Sequence, residues 1–336
     1  MMKAYLKHIS VYLPADTLTN KDINDVFPDW SIDKISNKTG IDNRHIAAPD
    51  EYSSDMAEKA ARQLFKEYNV DPASVDFILL CTQSPDYFLP TTACLLQDRL
   101  GIPTSAGALD FNLGCSGYIY GLGLAKGLIY AGIAKNILFL TAETYSKFIH
   151  PADKSNRTIF GDGATATIIS ADSGFAEILD FDLGTDGRGA ENLIVKRGGM
   201  RYPRTVNDEV VFDEYNNAHN ENYLFMNGAE IFNFTSQMVP ALVENVLAKN
   251  KLTLPDINLF IFHQANKFML THLKKKIKIP DDKFYVDMED CGNTVCSTIP
   301  IALQRYLSRA TMNKGSKVLL AGFGVGYSWG GCVIAF

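Results

Sequence analysis

The chain has 336 residues, 46% of them apolar and 21% charged. That is ordinary globular composition, with length for one large core or two fused ones. A net charge of −6 excludes nucleic acid as the main partner, because phosphate binding needs a basic face. No uncharged apolar run of about 18 residues occurs, so no membrane span is predicted. The N-terminus lacks the apolar core and small-residue cleavage site of a signal peptide. Six cysteines, at 81, 94, 115, 291, 296 and 332, are scattered and form no CxxC pair. This usage suits a reducing cytoplasm better than a secreted disulfide framework. It also predicts no metal site: Cys291 and Cys296 are spaced CxxxxC, and no His pair shares a helix face.

Residues 75–81 (VDFILLC) predict a buried strand. Residues 118–131, apolar on nearly all sides and rich in Gly and Ala, predict a buried helix. Residues 136–141 (NILFLT) predict a second buried strand. Strands of this kind joined by helices imply an α/β fold with both sheet faces covered. Residues 185–225, rich in Gly, Asn, Asp and Tyr, have the composition of a loop-rich cap inserted into the second half.

Four segments recur in the same order. VDFILLCTQSP (75–85) resembles INLFIFHQAN (257–266). LDFNLGCSGYIYGLGLAKGLI (109–129) resembles VDMEDCGNTVCSTIPIALQRYL (286–307). KNILFLTAE (135–143) resembles SKVLLAGFG (316–324), and GDGATATIIS (161–170) resembles GVGYSWGGCVIA (324–335). An ordered repeat predicts two copies of one βα unit about a pseudo-twofold, residues 1–172 and 173–336, layered α-β-α-β-α. It places Cys115 and Asn293 at matching strand-to-helix turns, with His263 at a strand end. All three then meet at the interface between halves, where pockets commonly form.

Cys115 lies between two glycines in NLGCSG (112–117). A thiol at a helix N-terminus faces the positive end of the dipole, which favours thiolate. The free N–H groups there also suit an oxyanion. His263 follows a buried strand and is placed to donate from Nε2 to a developing negative charge. Asn293 in CGNT (291–294) has the sequence of a turn residue. Its amide is a neutral donor that cannot lose a proton. An enolate formed on a thioester needs such donors at its oxygen. The glycine-rich GFGVGYSWGG (322–331) has no helix after it to bind phosphate, which argues against a dinucleotide site. It is expected to bring an N–H near Val325 to the oxyanion. The basic run 274–278 is a solvated face or a dock for an acidic partner.

Together with NKTGIDNRHIA (37–47), IFGDGATA (159–166) and FHQAN (262–266), these stretches make the chain resemble the β-ketoacyl-acyl carrier protein synthase III family, of thiolase-like fold, over nearly its whole length. The resemblance implies that Cys115 accepts an acyl group from acyl-CoA or another thioester. A malonyl thioester, expected to be malonyl-acyl carrier protein, then loses carbon dioxide. His263 and Asn293 stabilise the enolate, and the main-chain N–H groups of Cys115 and Val325 hold the tetrahedral oxyanion. The resemblance places Leu89, Phe160, Met226 and Phe323 along an acyl tunnel, with Leu89 reaching into a partner subunit. It places Trp30, Lys34, Lys38, Lys154, Asn266 and Lys267 at the thioester or carrier entrance. It implies a homodimer and no metal or organic cofactor.

Departures from the family pattern cluster at that entrance. Lys34 stands where Trp is common, Lys38 and Lys154 where Arg is, and Phe268 where an Arg docks carrier protein. Lysine is a point charge and lacks the guanidinium fork. An altered entrance suits a specialised acyl pathway as well as fatty-acid synthesis. The alternative function on the same scaffold passes the acyl group from Cys115 to an amine or hydroxyl. A silent partner subunit is disfavoured because the cysteine is present.

Overall fold

A computed structural model describes residues 3–206, 209–214 and 216–336. Of the expected 185–225 insertion, Asn207, Asp208 and Tyr215 lie outside the described residues. The apolar runs form strands of one mixed sheet. Its ten strands are β1 (Tyr5–Tyr12), β2 (Phe77–Cys81), β3 (Gly107–Phe111), β4 (Asn136–Glu143), β5 (Gly163–Ser170), β6 (Ala176–Thr185), β7 (Leu259–Phe262), β8 (Phe284–Tyr285), β9 (Lys317–Gly324) and β10 (Ser328–Ala335). Their order is β8-β7-β9-β10-β6-β1-β5-β4-β2-β3.

That order reads as one five-strand pattern used twice. In each run the second strand lies between the third and fourth and is parallel to both, while the fifth is antiparallel to the fourth. The two runs meet at β1 and β6 through two residue pairs, Tyr5–Glu177 and Leu6–Ala176.

Helices repeat the same way. α1 (Ser53–Tyr68), α2 (Thr92–Arg99) and α3 (Gly117–Tyr130) belong to the first run. α4 (Gly228–Lys249), α5 (Lys267–Ile277) and α6 (Thr298–Arg309) take the matching places in the second. α1 starts where Asp55 accepts from the Tyr52 N–H and stops at Asn69, which is left-handed at φ 51°. Its Met56, Ala57, Ala60, Ala61 and Leu64 fall at helical spacing and are all buried.

Side-chain alternation along the strands builds the layers. Ile78 and Leu80 of β2 turn outward to α1 and α2. Leu79 and Cys81 turn inward to α3 and α6, which also cover Leu259 and Ile261 of β7. Phe260 and Phe262 turn to the far side, under α4 and α5. The layers are therefore α-β-α-β-α, with α3 and α6 sandwiched between the two half-sheets. Coverage on both faces explains why the strands read as continuous apolar runs.

The insertion is more ordered than its composition suggests. Leu193–Val195 pairs with Leu224–Met226, and Val211–Phe212 with Ala218–His219. Leu193 and Leu224 are buried in the cluster that also holds Cys115. Among the described residues no helix is long and apolar enough to cross a membrane.

Candidate active site

The chain leaves β3 at Phe111, turns through residues 112–116 and enters α3 at Gly117. Cys115 sits in that turn, 6% exposed. β9 passes directly over it: a Cβ on Gly324 would lie 2.9 Å from Cys115 Sγ. Only glycine lets the strand approach the thiol so closely. The main-chain N–H groups of Cys115 and Val325 both donate toward the sulfur.

The electrostatics correct one expectation. Burial, reinforced by the Glu143 carboxylate, pushes the Cys115 thiol up to about 12, against the pull of the two N–H groups. Placement at the helix N-terminus does not by itself yield a resting thiolate; desolvation outweighs it. The thiol must lose its proton during the reaction.

Glu143 was not singled out in the sequence. It ends β4, fully buried, and accepts from the Gln83 N–H at 2.9 Å, the Ser84 hydroxyl at 3.0 Å and the Cys296 thiol at 3.4 Å. Burial pushes its carboxyl up to about 8. The folded chain therefore holds this proton above the ordinary 4.5, where the unfolded chain has released it. Folded protein binds more protons in that window, so this contribution to stability falls as pH rises through it. Glu143→Gln is expected to flatten the decline of Tm between about pH 5 and pH 8. At higher pH the variant should also alkylate faster at Cys115, because the neighbouring negative charge is gone. A wild-type alkylation profile across pH counts against the coupling.

His263 follows β7 and is 2% exposed. Burial lowers its pKa to about 3, so the imidazole is neutral. Nδ1 lies 2.7 Å from Thr298 Oγ1, and Nε2 lies 3.5 Å from Asn293 Nδ2. The ring of Phe323 stands edge-on to His263, centroids 5.8 Å apart.

Asn293 is fixed by the other half of the chain. Its N–H donates to Ile159 O at 2.9 Å, and its C=O accepts from the Gly161 N–H at 3.1 Å. Gly161 has no room for a side chain, since a Cβ would strike Cys291 O. Asp162 then accepts from the Ala47 and Ser146 N–H groups, each at 2.8 Å. The IFGDG segment is thus a clamp for the Asn293 turn. The NKTGIDNRHIA segment is another: buried Arg44 donates to Thr158 O at 3.1 Å, just before the clamp.

One detail of the expected repeat shifts. Cys115 lies two residues before α3, whereas Asn293 lies five before α6, separated by the short 3-10 turn Val295–Ser297. Measured from the helix, the counterpart of Cys115 is Cys296. The extra turn carries Asn293 across to His263.

Comparison with known proteins fits this geometry. Residues 109–187 match the family described as 3-Oxoacyl-[acyl-carrier-protein (ACP)] synthase III, and residues 247–336 match its C-terminal part. The chain is 36% identical to the Beta-ketoacyl-[acyl-carrier-protein] synthase III of Caldanaerobacter subterraneus, covering 96% of this chain and 95% of that one. It is 35% identical to the enzyme of that name from Campylobacter curvus, covering 100% and 98%. The chain belongs to the β-ketoacyl-acyl carrier protein synthase III family. A crystal structure of a 3-oxoacyl-(acyl-carrier-protein) synthase III superposes with a TM-score of 0.97 at 52% identity, covering 99% of this chain and 100% of that one. The Thermus thermophilus synthase III superposes at 0.86 with 32% identity, covering 99% of each chain.

Within this synthase III fold the remaining expected residues scatter. Phe160 is 4% exposed and forms a β-bridge with Asn293. Met226 packs at the edge of the cluster that holds Cys115. Leu89 is 81% exposed in a loop, beside exposed Tyr87 and Phe88. Lys34 and Lys38 hold their ammonium groups 5.1 and 5.9 Å from the Trp30 ring centroid. Lys154 is buried and paired with Asp29 at 3.0 Å, so its charge is already neutralised. Asn266 Oδ1 caps α5 by accepting from the Met269 N–H at 2.9 Å. Lys267 packs its Cβ against Gly40.

Sequence reasoning also missed Tyr145 and Gln83. The Tyr145 hydroxyl donates to Gln83 Oε1 at 3.2 Å, and its ring packs against Phe160 at 5.0 Å. Gln83 Oε1 in turn abuts Gly114 beside the nucleophile. No periodicity marks either residue. Among the described residues no group of three or more His, Cys, Asp or Glu is arranged to hold a metal ion.

Proposed function

We propose that the enzyme condenses an acyl group held on Cys115 with a malonyl thioester, in fatty-acid or specialised acyl-chain synthesis. The supporting observation is that β9 touches both groups: Phe323 stands edge-on to His263, which pairs with Asn293, and the next residue, Gly324, abuts the Cys115 thiol. Cys115 attacks the donor thioester, and its own N–H and that of Val325 face the oxyanion as it forms. Malonyl-acyl carrier protein then binds and loses carbon dioxide. Asn293 Nδ2 donates to the enolate oxygen, beside His263, and the enolate attacks the acyl-cysteine. Residues 1–172 carry the nucleophile and residues 173–336 the His and Asn.

Phe160, Phe323 and Met226 surround the acyl chain on this reading. Tyr87, Phe88 and Leu89 form an exposed apolar tip, the kind of surface that a second subunit covers. This supports a homodimer in which Leu89 completes the partner's tunnel. Trp30, Lys34, Lys38, Asn266 and Lys267 face the incoming thioester, with Lys154 holding Asp29 in place. All six cysteines are free thiols, in keeping with a cytoplasmic enzyme.

Intact-protein mass spectrometry with a panel of acyl-CoAs and acyl-carrier proteins tests the reading. One acyl adduct on Cys115, lost in Cys115→Ser, is expected. No adduct from any thioester contradicts it.

A further inference from the structure

The short turn between Asn293 and α6 contains an unusual backbone. Among the described residues Val295 is the one β-branched residue in the left-handed region, at φ 56°, and it is fully buried. Such a residue is an outlier, and strain of this kind concentrates where geometry serves function.

Both polar groups of Val295 are committed. Its N–H donates to Asn293 Oδ1 at 2.9 Å. That fixes which way the Asn293 amide points, so Nδ2 is the atom that faces His263 Nε2. Its C=O accepts from the Thr298 hydroxyl at 3.0 Å. Thr298 Oγ1 also lies 2.7 Å from His263 Nδ1.

These contacts determine where the imidazole proton sits. A hydroxyl has one proton and a carbonyl can only accept. Val295 O accepts the Thr298 N–H and hydroxyl and also draws the imidazole N–H, so Nδ1 is the nitrogen that carries the hydrogen, directed at Thr298 Oγ1 and the carbonyl behind it. A neutral imidazole has one N–H, which leaves Nε2 bare. The opposite end agrees independently: Asn293 Nδ2 presents hydrogens to Nε2, and an N–H there would oppose them. His263, Asn293, Val295 and Thr298 are all buried, so water does not rearrange the chain of bonds.

We propose that Val295 and Thr298 are positioning residues that hold His263 as its Nδ1–H tautomer, with Nε2 a proton acceptor in the resting enzyme. This rests on the condensing reading above and deepens it. As Cys115 Sγ bonds to the acyl carbon, Nε2 takes the thiol proton. The donor's carbon–sulfur bond breaks, and Nε2 passes the same proton to the departing sulfur. One thioester and one thiol become one thioester and one thiol. Asn293 already carries its hydrogens and serves the enolate without prior proton uptake. The Nε2 expected as a donor is thus an acceptor, and the hydrogen offered to the enolate is that of Asn293 Nδ2.

The ring nitrogens of 15N-histidine-labelled protein report the tautomer directly, with His263→Asn providing the assignment. Wild type is expected to show a protonated Nδ1 and a bare Nε2. Thr298→Val keeps the shape and removes the acceptor. It is expected to mix the tautomers and slow single-turnover acylation of Cys115 by on the order of 10²-fold. Thr298→Ser should restore both. A wild-type Nε2–H, or a Thr298→Val variant with wild-type ring shifts and acylation rate, overturns the proposal. If Thr298→Val does not fold, the wild-type and Thr298→Ser shifts still decide the tautomer. If wild type accepts no acyl group from any thioester, the condensing reading fails instead, while the ring shifts still stand.

Discussion

Cys115→Ala is expected to abolish acyl-enzyme formation and lower condensation by on the order of 10³-fold or more, as loss of a covalent nucleophile does. The fold should persist, because the change deletes one sulfur from a turn whose backbone is held elsewhere. Gly117 N–H donates to Gly114 O at 2.8 Å, and Ile119 N–H to Ser116 O at 3.1 Å. The two N–H groups that face the sulfur also remain. A thermal melt close to wild type, with no adduct by mass, is the expected combination. A Cys115→Ala protein that still condenses at the wild-type rate would remove the nucleophile from the account.

The second large effect belongs to Asn293. Asn293→Ala removes the Nδ2 donor and is expected to slow malonyl decarboxylation by about 10²–10³-fold, the usual cost of one oxyanion donor. Acylation of Cys115 should survive, because the thiol's two N–H donors belong to Cys115 and Val325 and stay in place. The alanine also strands the buried Val295 N–H, which costs roughly 1–3 kcal/mol. Asn293→Asp keeps an acceptor for the Val295 N–H and removes the amide donor, at the cost of a buried charge. Decarboxylation is expected to stay slow in it as well. Equal losses of acylation and decarboxylation in both variants would show that Asn293 supports only the fold.

Much of this was legible in the sequence because the signals are local or periodic. The runs FILLC and LFIF are apolar throughout because helices cover both faces of each half-sheet. The ordered repeat follows from one strand order used twice. Cys115 and Asn293 stand in turns flanked by glycine and short polar residues, and His263 directly follows a strand, where the chain must break its pattern.

The rest depends on what lies far away in sequence. Whether Cys115 is a thiol or a thiolate turns on its desolvation and on Glu143, which nothing in NLGCSG reveals. Lys154 reads as a free cation until Asp29 is seen beside it, 125 residues away. Thr298 reads as an ordinary helix-starting residue, and Val295 as core. Their roles arise from a left-handed backbone that no valine advertises. The cap insertion reads as loop because its strands are two or three residues long, too short to leave a period.

The order of events at Cys115 is the central claim, and a chase experiment tests it most directly. Enzyme is first loaded with an acyl group and freed of donor. Malonyl-acyl carrier protein is then added, and protein mass, carbon dioxide and carrier-bound product are followed together. The adduct on Cys115 should disappear at the rate at which carbon dioxide and a 3-oxoacyl carrier protein appear, one for one. An adduct that persists through the chase, or that discharges to an amine or hydroxyl without carbon dioxide release, would contradict the account.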